Sequence, residues 1–173
     1  MATYTLISSQ VLGASATSVT FSAIPTAYTD LVLRFSVRSS RPANESVMEF
    51  RVNGNTTAVY NMNGIIGYGT TILPQRQTNS TSIVNEFNIV GDGTLNNVFS
   101  SGELYFGDYT SSASKPISNF NVLENNTTAD TNINFSSMLV QDTNPITSID
   151  LSDGFSANFM ATSSFNLYGI KNS

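Results

Sequence analysis

Apolar and polar residues alternate through most of the chain, and the pattern is sharpest from Tyr28 to Asn53. Leu31, Leu33, Phe35 and Val37 take every second position, with Arg34, Ser36 and Arg38 among the residues between and after them. A period of two marks a strand with one face in a core. Met48, Phe50 and Val52 repeat the pattern around Glu49 and Arg51. If the loop from Ser39 to Ser46 closes symmetrically, the two runs pair as a hairpin: Phe35 opposite Phe50, Val37 opposite Met48 and Leu33 opposite Val52. That register puts Arg34 opposite Arg51 on the outer face, with Glu49 diagonal to Arg34 and Arg38.

The rest of the chain reads in the same way. Tyr4, Leu6 and the Val11-Leu12 pair predict a first strand, and Ser18 to Ile24 a second that Pro25 stops. Asn53-Gly54-Asn55 is a turn signal, and from Thr56 to Asn79 glycines loosen the pattern into a long connection with one or two short edge strands. Further strands are expected at Ser82 to Val90, Glu103 to Tyr109, Ile117 to Glu124, Ile133 to Leu139, Ile146 to Leu151 and Phe159 to Ile170. No apolar stripe at helical spacing persists for three turns. The expectation is one all-β domain over residues 1–173, an antiparallel β-sandwich or jelly roll of nine or ten short strands whose first and last strands lie close together. Phe21, Leu33, Phe35, Met48, Phe50, Phe87, Phe106, Phe120, Phe135 and Phe165 are its expected core.

Composition changes this picture in two respects. Only 11% of residues are charged, and Ser, Thr and Asn fill the polar positions, so the surface is neutral and hydrogen-bonding; 11 Phe and 7 Tyr supply the apolar area that opposes disorder. With no Cys and no His, disulfides, thiol chemistry, the common zinc ligands and His-activated nucleophiles are all excluded. A net charge of -5 and a pI near 4.4 argue against nucleic acid or anionic membrane as a partner. The polar start carries no signal peptide, so synthesis in a cytoplasm without export is expected, with a complete domain starting at Met1.

Candidate chemistry is sparse. Four of the seven basic residues, Arg34, Arg38, Arg41 and Arg51, fall in the central segment; Arg forks there would dock an acidic neighbour, whereas the plainer reading is a solvated face. Twelve carboxylates offer no glycosidase pair, because Asp92, Asp108, Asp130, Asp142 and Asp153 sit in Gly-, Asn- or Ser-rich turns. Calcium could use such loops, although no EF-hand spacing appears. No cofactor, metal site or catalytic residue is assigned, and the chain is read as a non-enzyme. Tyr60, Tyr68 and Tyr109 lie near loops, where stacking on sugar competes with a rim or subunit contact. Five glycosylation sequons are attributed to chance in a chain this rich in Asn, Ser and Thr.

Three stretches carry a resemblance. Phe21 to Ser40, with Ile24-Pro25, Tyr28-Thr29-Asp30-Leu31 and Arg38-Ser39-Ser40, is similar to a family of small virion proteins of tailed phages, many from marine and cyanobacterial hosts. Phe50-Arg51-Val52-Asn53-Gly54 followed by Asn61 resembles its strand-and-turn motif, with Asn55 where an Asp is more usual, and Leu167-Tyr168-Gly169-Ile170 resembles its closing strand. The resemblance implies a jelly-roll-like sandwich in the phage particle. Its place would be on the head as a decoration or cement protein, or in the tail as a fibre or accessory receptor-binding subunit that meets host glycan. On the cement reading the arginines dock on the major capsid protein or another virion protein. The chain then acts as a homotrimer whose interface uses Ile65, Ile66, Tyr68, Ile72 and Leu73.

Overall fold

The computed structural model describes residues 3–84, 87–125 and 131–171. Among them lie twelve strands and no helix: β1 (Thr3–Val11), β2 (Ser18–Phe21), β3 (Asp30–Val37), β4 (Glu45–Val52), β5 (Tyr60–Tyr68), β6 (Thr71–Ser80), β7 (Asn88–Val90), β8 (Ser100–Phe106), β9 (Lys115–Leu123), β10 (Asn132–Val140), β11 (Ile149–Asp153) and β12 (Ser164–Lys171). They form two antiparallel sheets, one of eight strands ordered β1-β12-β3-β8-β9-β10-β5-β6 and one of four ordered β2-β11-β4-β7. The antiparallel sandwich predicted from alternation is thus the fold, with two or three more strands than expected. The first and last strands are neighbours, paired from Thr3↔Lys171 to Val11↔Ser164.

The expected central hairpin does not form. β3 pairs with β12 and β8 in the larger sheet, whereas β4 pairs with β11 and β7 in the smaller one. Both apolar sets do enter one core, but from opposite sides. Alternation tells which face of a strand is buried; it does not tell a lateral neighbour from one about 10 Å away across the sandwich. Arg38 holds the crossing segment in place. It is buried, and its guanidinium donates to the carbonyl oxygens of Leu95 (2.8 Å) and Val98 (3.1 Å) and to Asp92 (3.3 Å). Beside it the hydroxyls of Ser39 and Ser46 each donate to Asp153 at 2.6 Å.

Residues 56–79 are also more regular than expected. β5 and β6 form a long hairpin, paired from Tyr60↔Ser80 to Tyr68↔Thr71, in which only Gly69 (φ 54°) serves the turn. Gly67 lies inside β5, because Ile133 of the neighbouring strand packs over it: a Cβ there would stand 3.0 Å from Ile133 Cγ2.

Eight of the ten expected core residues are buried, Phe50 at their centre with its ring edge-to-face against Phe87 (5.8 Å), Phe106 (6.1 Å) and Tyr60 (6.3 Å). Phe120 and Phe135 are the exceptions, 43% and 47% exposed. On β9 and β10 the middle of the inner face is Asn119, Asn121, Asn134 and Ser136, while the aromatics point out. Ile117 and Leu123 on β9, and Met138 and Val140 on β10, are buried and fix the phase. Between those ends the inward asparagines bond to one another: Asn119 Nδ2 donates to Asn121 Oδ1 (3.0 Å), Asn121 Nδ2 to the Asn88 carbonyl (3.0 Å) and Asn134 Nδ2 to Asn132 Oδ1 (2.7 Å). These bonds offset part of the cost of burying the amides, although Asn134 Oδ1 and Ser136 Oγ are buried without a hydrogen-bond partner among the described residues, and the larger apolar side chains of these strands face outward.

Candidate functional site

The cross-strand registers lay out the outer face of the larger sheet in rows. One runs Asn166, Arg34, Glu103, Phe120, Phe135, Ile65, Pro74 from β12 to β6. On one side of it lies Tyr168, Val32, Tyr105, Ser118, Ser137, Asn63, Arg76, and on the other Ser164, Ser36, Ser101, Val122, Ile133, Gly67, Ile72. The face therefore divides. Over β12, β3 and β8 it is polar and ion-paired; over β9, β10, β5 and β6 two of the rows are mainly apolar, and the third is Ser118, Ser137, Asn63 and, at the rim, the charged Arg76.

On the polar half Arg34 Nε donates to Glu103 Oε2 at 2.7 Å, and its guanidinium lies over the rings of Tyr4 (5.5 Å) and Tyr168 (5.7 Å). Tyr105 borders the two halves, its hydroxyl pushed up to about 12 by burial and by its hydrogen bond to Asp30. On the apolar half the rings of Phe120 and Phe135 pack at 4.9 Å with 37° between their planes. Ile133, Ile65, Ile72 and Leu139 extend the patch, each between about a third and two-thirds exposed. A shallow groove of about 340 Å³ lies where the halves meet, lined by Glu103, Tyr105, Ser118, Phe120 and Phe135.

The four arginines do not form one face. Arg34 sits on the larger sheet and Arg51 on the smaller; Arg51 bonds to Glu49 (2.5 Å) and to the Thr81 carbonyl (3.2 Å). Arg38 is buried, and Arg41 stacks 3.6 Å from the Phe155 ring while donating to the Glu45 carbonyl. The four therefore do not share one exposed docking surface: Arg34 and Arg51 lie on different sheets, Arg38 is buried, and Arg41 stacks on Phe155.

The proposed interface segment also divides. Ile65 and Ile72 belong to the apolar outer face, but Ile66 points into the sandwich and is buried. Leu73 pairs with Ile66, so it shares that face, near the open edge. Tyr68 is half-buried, its hydroxyl donating to Glu45 (3.0 Å) and accepting from Asn88 (2.8 Å). Tyr60 and Tyr109 are fully buried and cannot stack on sugar; their hydroxyls donate to the carbonyls of Asn55 and Pro25. Burial raises both phenols above the usual tyrosine value.

Among the turn carboxylates, Asp153 accepts from two serine hydroxyls and from the backbone N–H groups of Phe155 and Ala157. Asp142 accepts from Asn144 and Asn55, contacts that hold it below the usual carboxylate range. Asp92 meets Arg38, and Asp130 lies outside the described residues. Among the described residues no three His, Cys, Asp or Glu side chains group so as to hold a metal ion. The β9–β10 part of the apolar half-face escaped the sequence reading, although a signal existed: Asn recurs at alternate positions in β9 and β10, in antiphase with Phe120, Ile133 and Phe135. No family model, curated protein or solved structure matches the chain.

Proposed function

We propose that the chain is a non-enzymatic building block of a tailed-phage virion, acting on the outside of the head as a decoration or cement protein. The observation that carries this reading is the apolar half-face: a solvent-facing stretch of sheet with this many Phe, Ile and Leu side chains is a surface built to be covered by protein. The strand order adds support. The sheet β2-β11-β4-β7 lies opposite one in which β3-β8 and β5-β6 flank the β9–β10 hairpin, an order that would follow from a hairpin inserted into a jelly roll, a fold frequent in capsid proteins. The resemblance of the Phe21–Ser40, Phe50–Gly54 and Leu167–Ile170 stretches to virion proteins points the same way. Many copies, each with a modest contact, then clamp neighbouring capsomers by avidity.

A second reading, an accessory receptor-binding subunit of the tail, is favoured by the groove beside Phe120 and Phe135. There aromatic faces, the Glu103 carboxylate and the Tyr105 ring would suit the apolar and hydroxyl faces of a sugar. Labelling virions with antibody against this chain separates the two. Label over the icosahedral shell is expected; label confined to the tail, joined by glycan binding that Phe120→Ala abolishes, transfers the protein to the second reading.

A further inference from the structure

We infer that the apolar half-face is closed by the same face of a second copy of this chain, packed sheet to sheet about a two-fold axis that runs along β10. The inference deepens the virion reading, and rests on it for what the pair assembles; the pairing itself rests on the geometry of the face.

β10 is the middle strand of the five from β8 to β6. Rotation about an axis parallel to it lays β5 of one copy over β9 of the other, and β6 over β8. The row positions then match in shape. Phe135 and Ile133 meet their own copies on the axis, Phe120 meets Ile65, and Val122 meets Gly67, over which Ile133 already lies. The rims match in charge. Arg76, which has no ion-pair partner among the described residues, comes over Tyr105 and within one row of Glu103. Cation–π contact and ion pairing are both available to it there.

Area argues for the same occupant. An aromatic side chain offers about 150–250 Å², so Phe120 and Phe135, each nearly half exposed, leave roughly 90 Å² apiece. The neighbouring Ile65, Ile72, Ile133 and Leu139, each more than a third exposed, add to this toward the roughly 800 Å² per partner of a standard stable interface. Each copy carries net charge -5, yet the central rows of the contact are uncharged, so the pair forms without like charges opposed. A three-fold ring would need a second, different surface complementary to this one, whereas a two-fold pair needs only this one. The pair therefore replaces the trimer expected from sequence.

The test uses the full chain in sedimentation equilibrium, with crosslinking as a second measurement. A dimer is expected at about 10 μM, and Phe135→Ser should weaken it by about 30-fold or more, as loss of a central aromatic anchor does, with an unchanged circular-dichroism spectrum. The chain has no cysteine, so Ser137→Cys on the axis should crosslink to a dimer with a short bis-maleimide. Ser101→Cys, two strands from the axis, should not. A wild-type chain still monomeric at about 100 μM, or equal crosslinking from both positions, overturns the pairing, and a monomer that binds glycan through Phe120 and Phe135 gives the face to sugar. If Phe135→Ser fails to fold, the Ser137→Cys and Ser101→Cys pair alone decides. A monomer that still labels the shell ends the pairing and leaves the virion reading standing; a dimer absent from virions does the reverse.

Discussion

Two halves of one sheet obey the same alternation in opposite senses. On β3, Leu31, Leu33, Phe35 and Val37 face the core and Arg34 faces water; on β10, Asn134 and Ser136 face inward while Ile133, Phe135 and Leu139 face outward. Period-two patterning is equally strong in both, and it names a strand without naming its inner face. In β3 the apolar set is buried because the four-stranded sheet covers it with Phe50 and its neighbours. In β9 and β10 apolar residues at the strand ends anchor the phase, and an asparagine ladder fills what lies between. The outward apolar set of these strands is the surface that the proposed pairing would cover.

Adjacent residues on β5 give the largest test of this contrast. Ile66→Asp places a carboxylate in the sandwich and should cost upwards of about 4 kcal/mol, enough to prevent folding in a marginally stable domain. Ile65→Asp, on the outer face, should leave the urea midpoint within the error of the wild type at concentrations where the chain is monomeric, and act on association alone. Equal losses in the two variants would mean that the faces of β5 are misassigned.

Next in size is Asp153→Ala. It strands two serine hydroxyls and two backbone N–H groups around a buried site, and about 3 kcal/mol should go with it. Urea unfolding measures this, and a loss below about 1 kcal/mol would show that the crossing segment holds without its carboxylate.

Asn121→Leu probes the ladder. The Asn119 amide loses its acceptor and the Asn88 carbonyl its donor, so about 1–3 kcal/mol should be lost although the new side chain is the more hydrophobic. A stabilised variant would mean that the polar interior is tolerated and not required.

Alkali gives the smallest effect. Burial holds Tyr60, Tyr105 and Tyr109 above the ordinary phenol value, so from about pH 10 upward the unfolded chain ionises first while the folded chain keeps its protons. Stability should fall with rising pH there, and for Tyr105 the fall should continue to about 12. Lys115 acts in the opposite sense. Burial lowers it below its usual value, and stability rises as the unfolded amine deprotonates last. Urea midpoints at about pH 9 and 11 should show the phenols outweighing the amine; a midpoint that rises would reverse that ranking.

Much of the fold was legible in the chain. Leu33, Phe35, Phe50 and Phe165 alternate with polar residues and are buried, and Asn53-Gly54 turns with both φ angles positive. The sheet assignment of β3 and β4 was not legible, since β3 pairs with β8 and β12 and β4 with β7 and β11, strands far along the chain that local alternation does not name. Ile65 and Ile72 belong to the interface expected from sequence, but the β9–β10 part of the site was missed for a related reason. Phe120 and Phe135 carry the usual mark of a core, and only the partners of Asn119, Asn121 and Asn134 overrule it.

The pairing of β1 with β12 has a mechanical consequence. Thr3 lies beside Lys171, and the two strands run antiparallel from there. Tension applied at these two residues pulls across the ladder and opens its hydrogen bonds one after another, as a zip does, so little force is needed to peel β1 away. A load carried through the sheet faces meets all the strands at once. Single-molecule pulling from Thr3 and Lys171 should therefore begin with a low-force release of β1, while the rest of the sandwich stays folded to a higher force.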